Sequence, residues 1–149
     1  MINNNEGKYG KYIIQTLQES VPMDPEFKKI YDQFAKRILM MDSSIVPGSL
    51  PFVSTWYKHP QPIDPVLPAH VHENFDELLG FYGSNADDPN NLNGVIEYGI
   101  DGEMYRLDKS SLIFMPKGLS HGPLRILEVN EPIFHFSMIL SADVEKFSM

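Results

Sequence analysis

The chain has 149 residues, enough for one compact domain with a modest core and too few for a two-domain enzyme. Apolar residues make up 42% and charged residues 21%, a globular balance that excludes disorder and fibrous repeats. Twelve Lys and Arg against twenty Asp and Glu, with no basic patch, argue against nucleic acid and anionic lipid as partners, and zero cysteines exclude disulfides, thiolate metal sites and a catalytic thiol.

Residues 1–23 lack a sustained period and carry Gly7, Gly10 and Pro22, so they read as an arm ordered by packing elsewhere. Their polar start, MINNNEGKYGKY, is unlike a secretory signal, and no run approaches the ~18 apolar residues of a membrane span, so the cytoplasm is the expected location. From Asp24 the pattern changes. Asp24 suits a cap, Pro25 a first helical position, and Phe27, Ile30, Tyr31, Phe34 and Ile38 recur at helical spacing. This predicts one amphipathic helix over 25–41, packed on a sheet, with Lys28, Lys29, Asp32 and Lys36 on its solvated face. Residues 24–50 are then helix and connection, and 51–149 form the β-rich remainder of a single domain.

Beyond Asp42, short apolar stretches alternate with Pro, Gly, Asn and Asp, the signature of an all-β sandwich or barrel. The predicted strands are Phe52 to Tyr57, Ala69 to His72, Glu77 to Tyr82, Val95 to Ile100, Glu103 to Leu107, Ser111 to Met115, Leu124 to Val129 and Ile133 to Ile139. Their number suits a jelly roll. Asp101-Gly102 is a two-residue hairpin signal, because both central positions of such a turn need positive φ. The polar run from Ser84 to Gly94 reads as an exposed loop.

Five histidines stand at 59, 70, 72, 121 and 135. On a strand, His70 and His72 point the same way, and a hairpin partner brings Glu77 alongside, which makes a corner of three ligands. His121 follows the turn formers Pro116 and Gly118 in MPKGLSHGP and is the candidate fourth ligand.

At these residues the sequence resembles the cupin superfamily. Its first motif, HxH, three or four residues, Glu and then a later Gly, is matched by His70, His72, Glu77 and Gly83, and its second, PxGxxH, by Pro116, Gly118 and His121. The resemblance spans roughly Phe52 to Ile139. It implies a small double-stranded β-helix, a jelly-roll barrel with the N-terminal helix packed on it, with His70, His72, Glu77 and His121 as metal ligands. Departures fall in the turns: Asp64 and Ser110 stand where Gly usually opens the two motifs, Glu77 to Gly83 is one residue short, and Arg125 replaces the usual Asn. Every ligand position is kept.

Three imidazoles and a carboxylate suit one divalent Fe, Mn, Ni, Cu or Zn ion and not Ca or Mg, which prefer oxygen shells. One carboxylate against a dication leaves the site near +1, attractive to a chelating anion. Arg125, four residues after His121, faces the cavity on a regular strand and either docks a substrate carboxylate or pairs a neighbouring acid. His135, in the apolar strand PIFHFSMIL, is either a general base or donor near the metal or a buried histidine satisfied by a backbone carbonyl. Phe81 is expected to line the pocket, Trp56, Phe134 and Phe136 to lie in the core, and His59 to be a loop residue. Three functions remain open: a metal-dependent enzyme of dioxygenase, isomerase or decarboxylase type acting on a small oxygenated anion, a metal-containing binding or sensing module, and a purely structural or partner-docking barrel. The arm and helix are the expected dimer surface, as small cupins often form homodimers.

Overall fold

In the computed structural model, which describes residues 6–141, Asp24 caps the first helix as the sequence predicts. Its carboxylate accepts a hydrogen bond from the Phe27 N–H at 3.1 Å, and Pro25 occupies the first turn, a cap contributing about 1 kcal/mol. The helix, α1 (Pro25–Phe34), is shorter than the periodicity indicates. The chain turns extended at Ala35, and β1 (Ala35–Met41) pairs antiparallel with β2 (Phe52–Tyr57) from Ala35↔Tyr57 to Met41↔Phe52. Ala, Lys, Arg, Leu and Met are good helix formers, so local propensity favours a longer helix; pairing with a segment distant in sequence overrides it. The segment 24–50 therefore contributes a strand as well as a helix.

The remaining strands are β3 (Glu77–Tyr82), β4 (Asn91–Ile100), β5 (Glu103–Lys109), β6 (Ser111–Met115), β7 (His121–Val129) and β8 (Ile133–Ile139). They make two antiparallel sheets, one ordered β1-β2-β8-β3-β6 and the other β5-β4-β7. Asp101 and Gly102 form the β4–β5 turn at φ 49° and 83°, as the sequence requires. Two expectations change. β4 begins at Asn91, with Leu92 fully buried, which shortens the loop expected over Ser84 to Gly94. Residues 69–72 are not a strand of their own: with Pro65 and Pro68 unable to donate, the segment makes only isolated bridges, Leu67↔Leu124 and His70↔His121, along the free side of β7.

Between the sheets, Phe34, Phe81, Leu92, Ile96, Ile126 and Ile133 are all at 0% exposure, and burial of each such side chain contributes roughly 1.5–3 kcal/mol. Trp56, Phe134 and Phe136 are not in this core. Strand alternation that turns Tyr57 and His135 inward turns these three outward, where Trp56–Phe134 and Phe134–Phe136 ring contacts at 5.5 and 6.4 Å cover the outer face of the larger sheet. The arm docks on the sandwich: the Ser20 hydroxyl donates to Asp42, and Leu17 packs against the smaller core cluster of Met40, Val53, Phe75 and Ile139. No helix among the described residues is long and apolar enough to cross a membrane. The first five residues of the arm and the last eight of the segment 51–149 lie outside the described residues.

Candidate metal centre

The bridge between His70 and His121 brings the two histidine segments together. His70 N–H donates to the His121 carbonyl at 2.8 Å, His121 N–H donates back at 2.9 Å, and Gly118 N–H donates to the His72 carbonyl at 2.8 Å. Such close approach needs Gly122. It sits at φ +90°, and a Cβ there would meet the Pro68 carbonyl oxygen at 2.8 Å and the Ala69 Cα at 3.0 Å. The ligand-capable nitrogens of His70, His72 and His121 consequently lie within 4.8 Å of one another. Glu77, at the start of β3, closes the group: its Oε2 is 3.8 Å from His72 Nε2 and 3.9 Å from His121 Nε2.

Backbone carbonyls select the imidazole tautomers. Nδ1 of His70 faces the Pro68 carbonyl at 2.9 Å and Nδ1 of His121 faces the Leu119 carbonyl at 3.0 Å. A carbonyl only accepts, so both rings carry the proton on Nδ1 and present Nε2 as a lone pair, the usual outer arrangement of metal-bound histidine. His121 Nε2 is buried and has no hydrogen-bond partner. Burial also drives the group toward neutrality. It pushes His72 down to about 4, with His70 and His121 adding to the shift, lowers His121 against the opposing Leu119 hydrogen bond, and raises Glu77 to about 7 against the Ser137 hydroxyl. The Glu77–histidine contacts are therefore not ion pairs in the metal-free protein.

The residues fit a metal ion. Two ligand atoms each about 2.1 Å from one ion stand no more than about 4.2 Å apart; the Glu77 contacts at 3.8 and 3.9 Å meet this limit, the imidazole nitrogens within 4.8 Å need a small inward closure to do so, and a buried orphan lone pair is the group that a cation relieves. Nitrogen-rich donors favour a first-row transition ion over Ca or Mg.

A cavity of about 60 Å³, measured for the centre of a water molecule, is lined by His70 and Glu77 together with Ser137, Tyr98, His135, Tyr57 and Phe27 of α1. Phe81 is among its lining residues. His135 has the backbone-carbonyl partner of one of its two sequence readings: Nδ1 donates to the Gly80 carbonyl at 2.8 Å, the ring stacks on Phe81 at 4.4 Å, and the residue lines the cavity. Burial pulls its pKa down to about 4. Tyr57 and Tyr98 were not singled out in the sequence. Burial raises both hydroxyls well above the usual range, and no hydrogen bond offsets this for either. Inward alternation from Thr55 and Ile96 is the signal that marks them.

Arg125 is not in the cavity wall. Its Nε donates to Asp64 at 2.5 Å and its Nη1 to Glu97 at 3.2 Å. The register between β4 and β7 slips between the pairs Tyr98↔Leu124 and Ile100↔His121, so His121 and Leu124 face inward and Arg125 faces out. His59 is exposed in its loop.

No family model and no curated protein matches the chain. Solved structures similar to it include a cupin protein from Bacteroides fragilis (15% identity, 92% of this chain and 93% of that one, TM-score 0.49). Others are KdgF from Halomonas sp. (17%, 73% and 80%, TM-score 0.43) and a predicted oxalate decarboxylase from Thermotoga maritima (13%, 72% and 81%, TM-score 0.47). The described residues form two antiparallel sheets with the α-helix α1 at their side, the all-β sandwich that the sequence predicts.

Proposed function

We propose that the chain holds one divalent first-row transition metal through His70, His72, Glu77 and His121 and is an enzyme acting on a small oxygenated anion in the adjoining cavity. The observation that carries this reading is the buried, unpartnered Nε2 of His121 among three convergent imidazoles and a carboxylate. When bound, such an ion supplies Lewis acidity and open positions for substrate oxygens.

The protein's own groups would do the rest. Ser137 offers its hydroxyl to Glu77 Oε1 at 3.4 Å, which leaves Oε2 turned toward the imidazoles. The hydroxyls of Tyr57 and Tyr98 donate to substrate oxygens without first breaking a protein hydrogen bond. His135 is held neutral in the free protein, so Nε2 accepts a hydrogen bond from the substrate, and a bound anion beside it raises its proton affinity toward that of a working base. The apolar walls of Leu79, Phe81 and Leu124 exclude water from that exchange. The cavity admits only a few non-hydrogen atoms, and the near +1 charge of a dication with one carboxylate selects an anion.

The test is metal content by plasma mass spectrometry on protein purified without a chelate column, beside His70→Ala/His121→Ala. Near one metal per chain, lost in the double variant, is expected. Failure of Fe, Mn, Ni, Cu and Zn alike to bind on reconstitution sinks the reading. With metal bound, a ligand recovered unchanged after long incubation assigns a binding module instead. The chain is also proposed to be a homodimer, and the outer face of the larger sheet offers the apolar surface, with Leu112 and Phe114 at 60% and 57% exposure. Light scattering tests this.

A further inference from the structure

We infer that Arg37 forms the floor of a second ligand site, a pocket for an oxyanion carried as a carboxylate or phosphate group, at the junction of the arm, α1 and β1. Arg37 lies opposite Thr55 in the β1–β2 pairing and is only 6% exposed. Its Nη1 lies 3.7 Å from the Glu19 carboxylate and 3.5 Å from the Met40 sulfur. Its Nε and Nη2 are buried and have no hydrogen-bond partner. These two nitrogens define one edge of the planar guanidinium, the edge whose parallel N–H bonds grip an oxyanion through both of its oxygens. The unsatisfied atoms are thus a matched pair, and Glu19 approaches a different nitrogen.

A pocket of about 50 Å³, measured for the centre of a water molecule, opens beside this guanidinium. Lys28, Lys36 and Arg37 contribute three positive charges to its wall, against Glu19 and Asp32, in a protein whose net charge is -8. Lys28 is taken up by Asp32 at 2.6 Å, whereas Nε and Nη2 have no partner within hydrogen-bond geometry, the Tyr31 hydroxyl being the polar neighbour that feels the guanidinium. A buried cation with donors unmade is a standing cost to the fold, and an incoming anion removes it. The Tyr31 ring lies under the guanidinium, with Arg37 Cζ 5.9 Å from its centroid, and steadies it in the pocket wall. None of the residues in this argument is a candidate metal ligand, so the site stands or falls separately from the metal.

The full-length protein would be titrated with sodium acetate and, separately, inorganic phosphate, against sodium chloride at matched ionic strength, following the Arg37 Nε–H resonance. A saturable shift with acetate or phosphate and none with chloride is expected, and the anion that saturates identifies the group the pocket takes. Glu19→Gln removes the one competing carboxylate near the guanidinium and should tighten binding about tenfold. Arg37→Lys loses the planar edge and should abolish saturation, read by calorimetry. If that variant does not fold, Glu19→Gln decides alone. Absence of saturation by either anion in both the wild type and Glu19→Gln overturns the proposal, since Glu19 is then the only counter-ion of Arg37 among the described residues. Binding that survives in folded Arg37→Lys overturns it as well.

Discussion

Two corners of the sandwich bury side-chain nitrogens that no protein group satisfies, and they are of opposite kind. At the junction of β7 with the 66–72 segment, His121 presents a lone pair; at the junction of β1 with the arm, Arg37 presents N–H bonds. A buried lone pair among neutral imidazoles calls for a cation, and buried donors on a guanidinium call for an anion. The sign of the missing group is thus readable from the chemistry of the orphan atom, before any ligand is seen. A saturated arginine makes the contrast: Arg125 spends its donors on Asp64 and Glu97.

The contrast breaks first if His121 is dispensable. His121→Ala is expected to weaken metal binding by more than about a hundredfold, read by competition with a chromogenic chelator, because loss of even an outer partner typically costs 10- to 100-fold. A residue belonging to neither corner should instead affect stability. Phe81→Ala, at a fully buried ring stacked on His135, should cost about 3–5 kcal/mol in urea unfolding and leave metal stoichiometry near one.

His135 sharpens the comparison through pH. Burial holds its folded pKa at about 4, below the 6.5 of an unhindered imidazole. Between those values the unfolded chain takes up a proton that the folded chain refuses, so stability is full above 6.5 and falls as pH drops toward 4. The slope is about 1.4 kcal/mol per pH unit at its steepest, roughly 2 kcal/mol lost by pH 5. The difference between wild type and His135→Gln in urea midpoints across that range isolates this contribution, and equal slopes would contradict it. The smallest effect belongs to Arg125→Ala. Its partners are at the surface, so the urea midpoint should move least of all these variants, with metal content and anion binding as in the wild type.

Much of this is legible in the residues themselves where the signal is local. The Asp101-Gly102 turn and the strands Phe52–Tyr57, Glu77–Tyr82, Ser111–Met115 and Ile133–Ile139 follow from positive φ and alternation. Among the ligand candidates, His70, His72 and Glu77 are legible from their short spacing, and His121 from the Pro116 and Gly118 turn before it and the motif it completes. Nonlocal facts are not. The helix expected over 25–41 stops at Phe34 because β2, seventeen residues past Ala35, claims the following segment. Arg125 points away because a register slip after His121 breaks the even spacing that puts both on one face. Arg37 looks like half of a surface Lys-Arg pair until the strand is known; then Ala35 and Arg37 fall on the inward side.

Gly122 carries a lesson for tracing this centre through diverging sequences. The two histidine segments meet where a side chain at 122 would collide with the backbone at Pro68 and Ala69. A descendant could retain His70, His72, Glu77 and His121 letter for letter, acquire a valine at that one position, and no longer bring them together. A genome survey that scores ligands alone would count such a chain as a metalloprotein; one that also demands glycine after the last histidine would not.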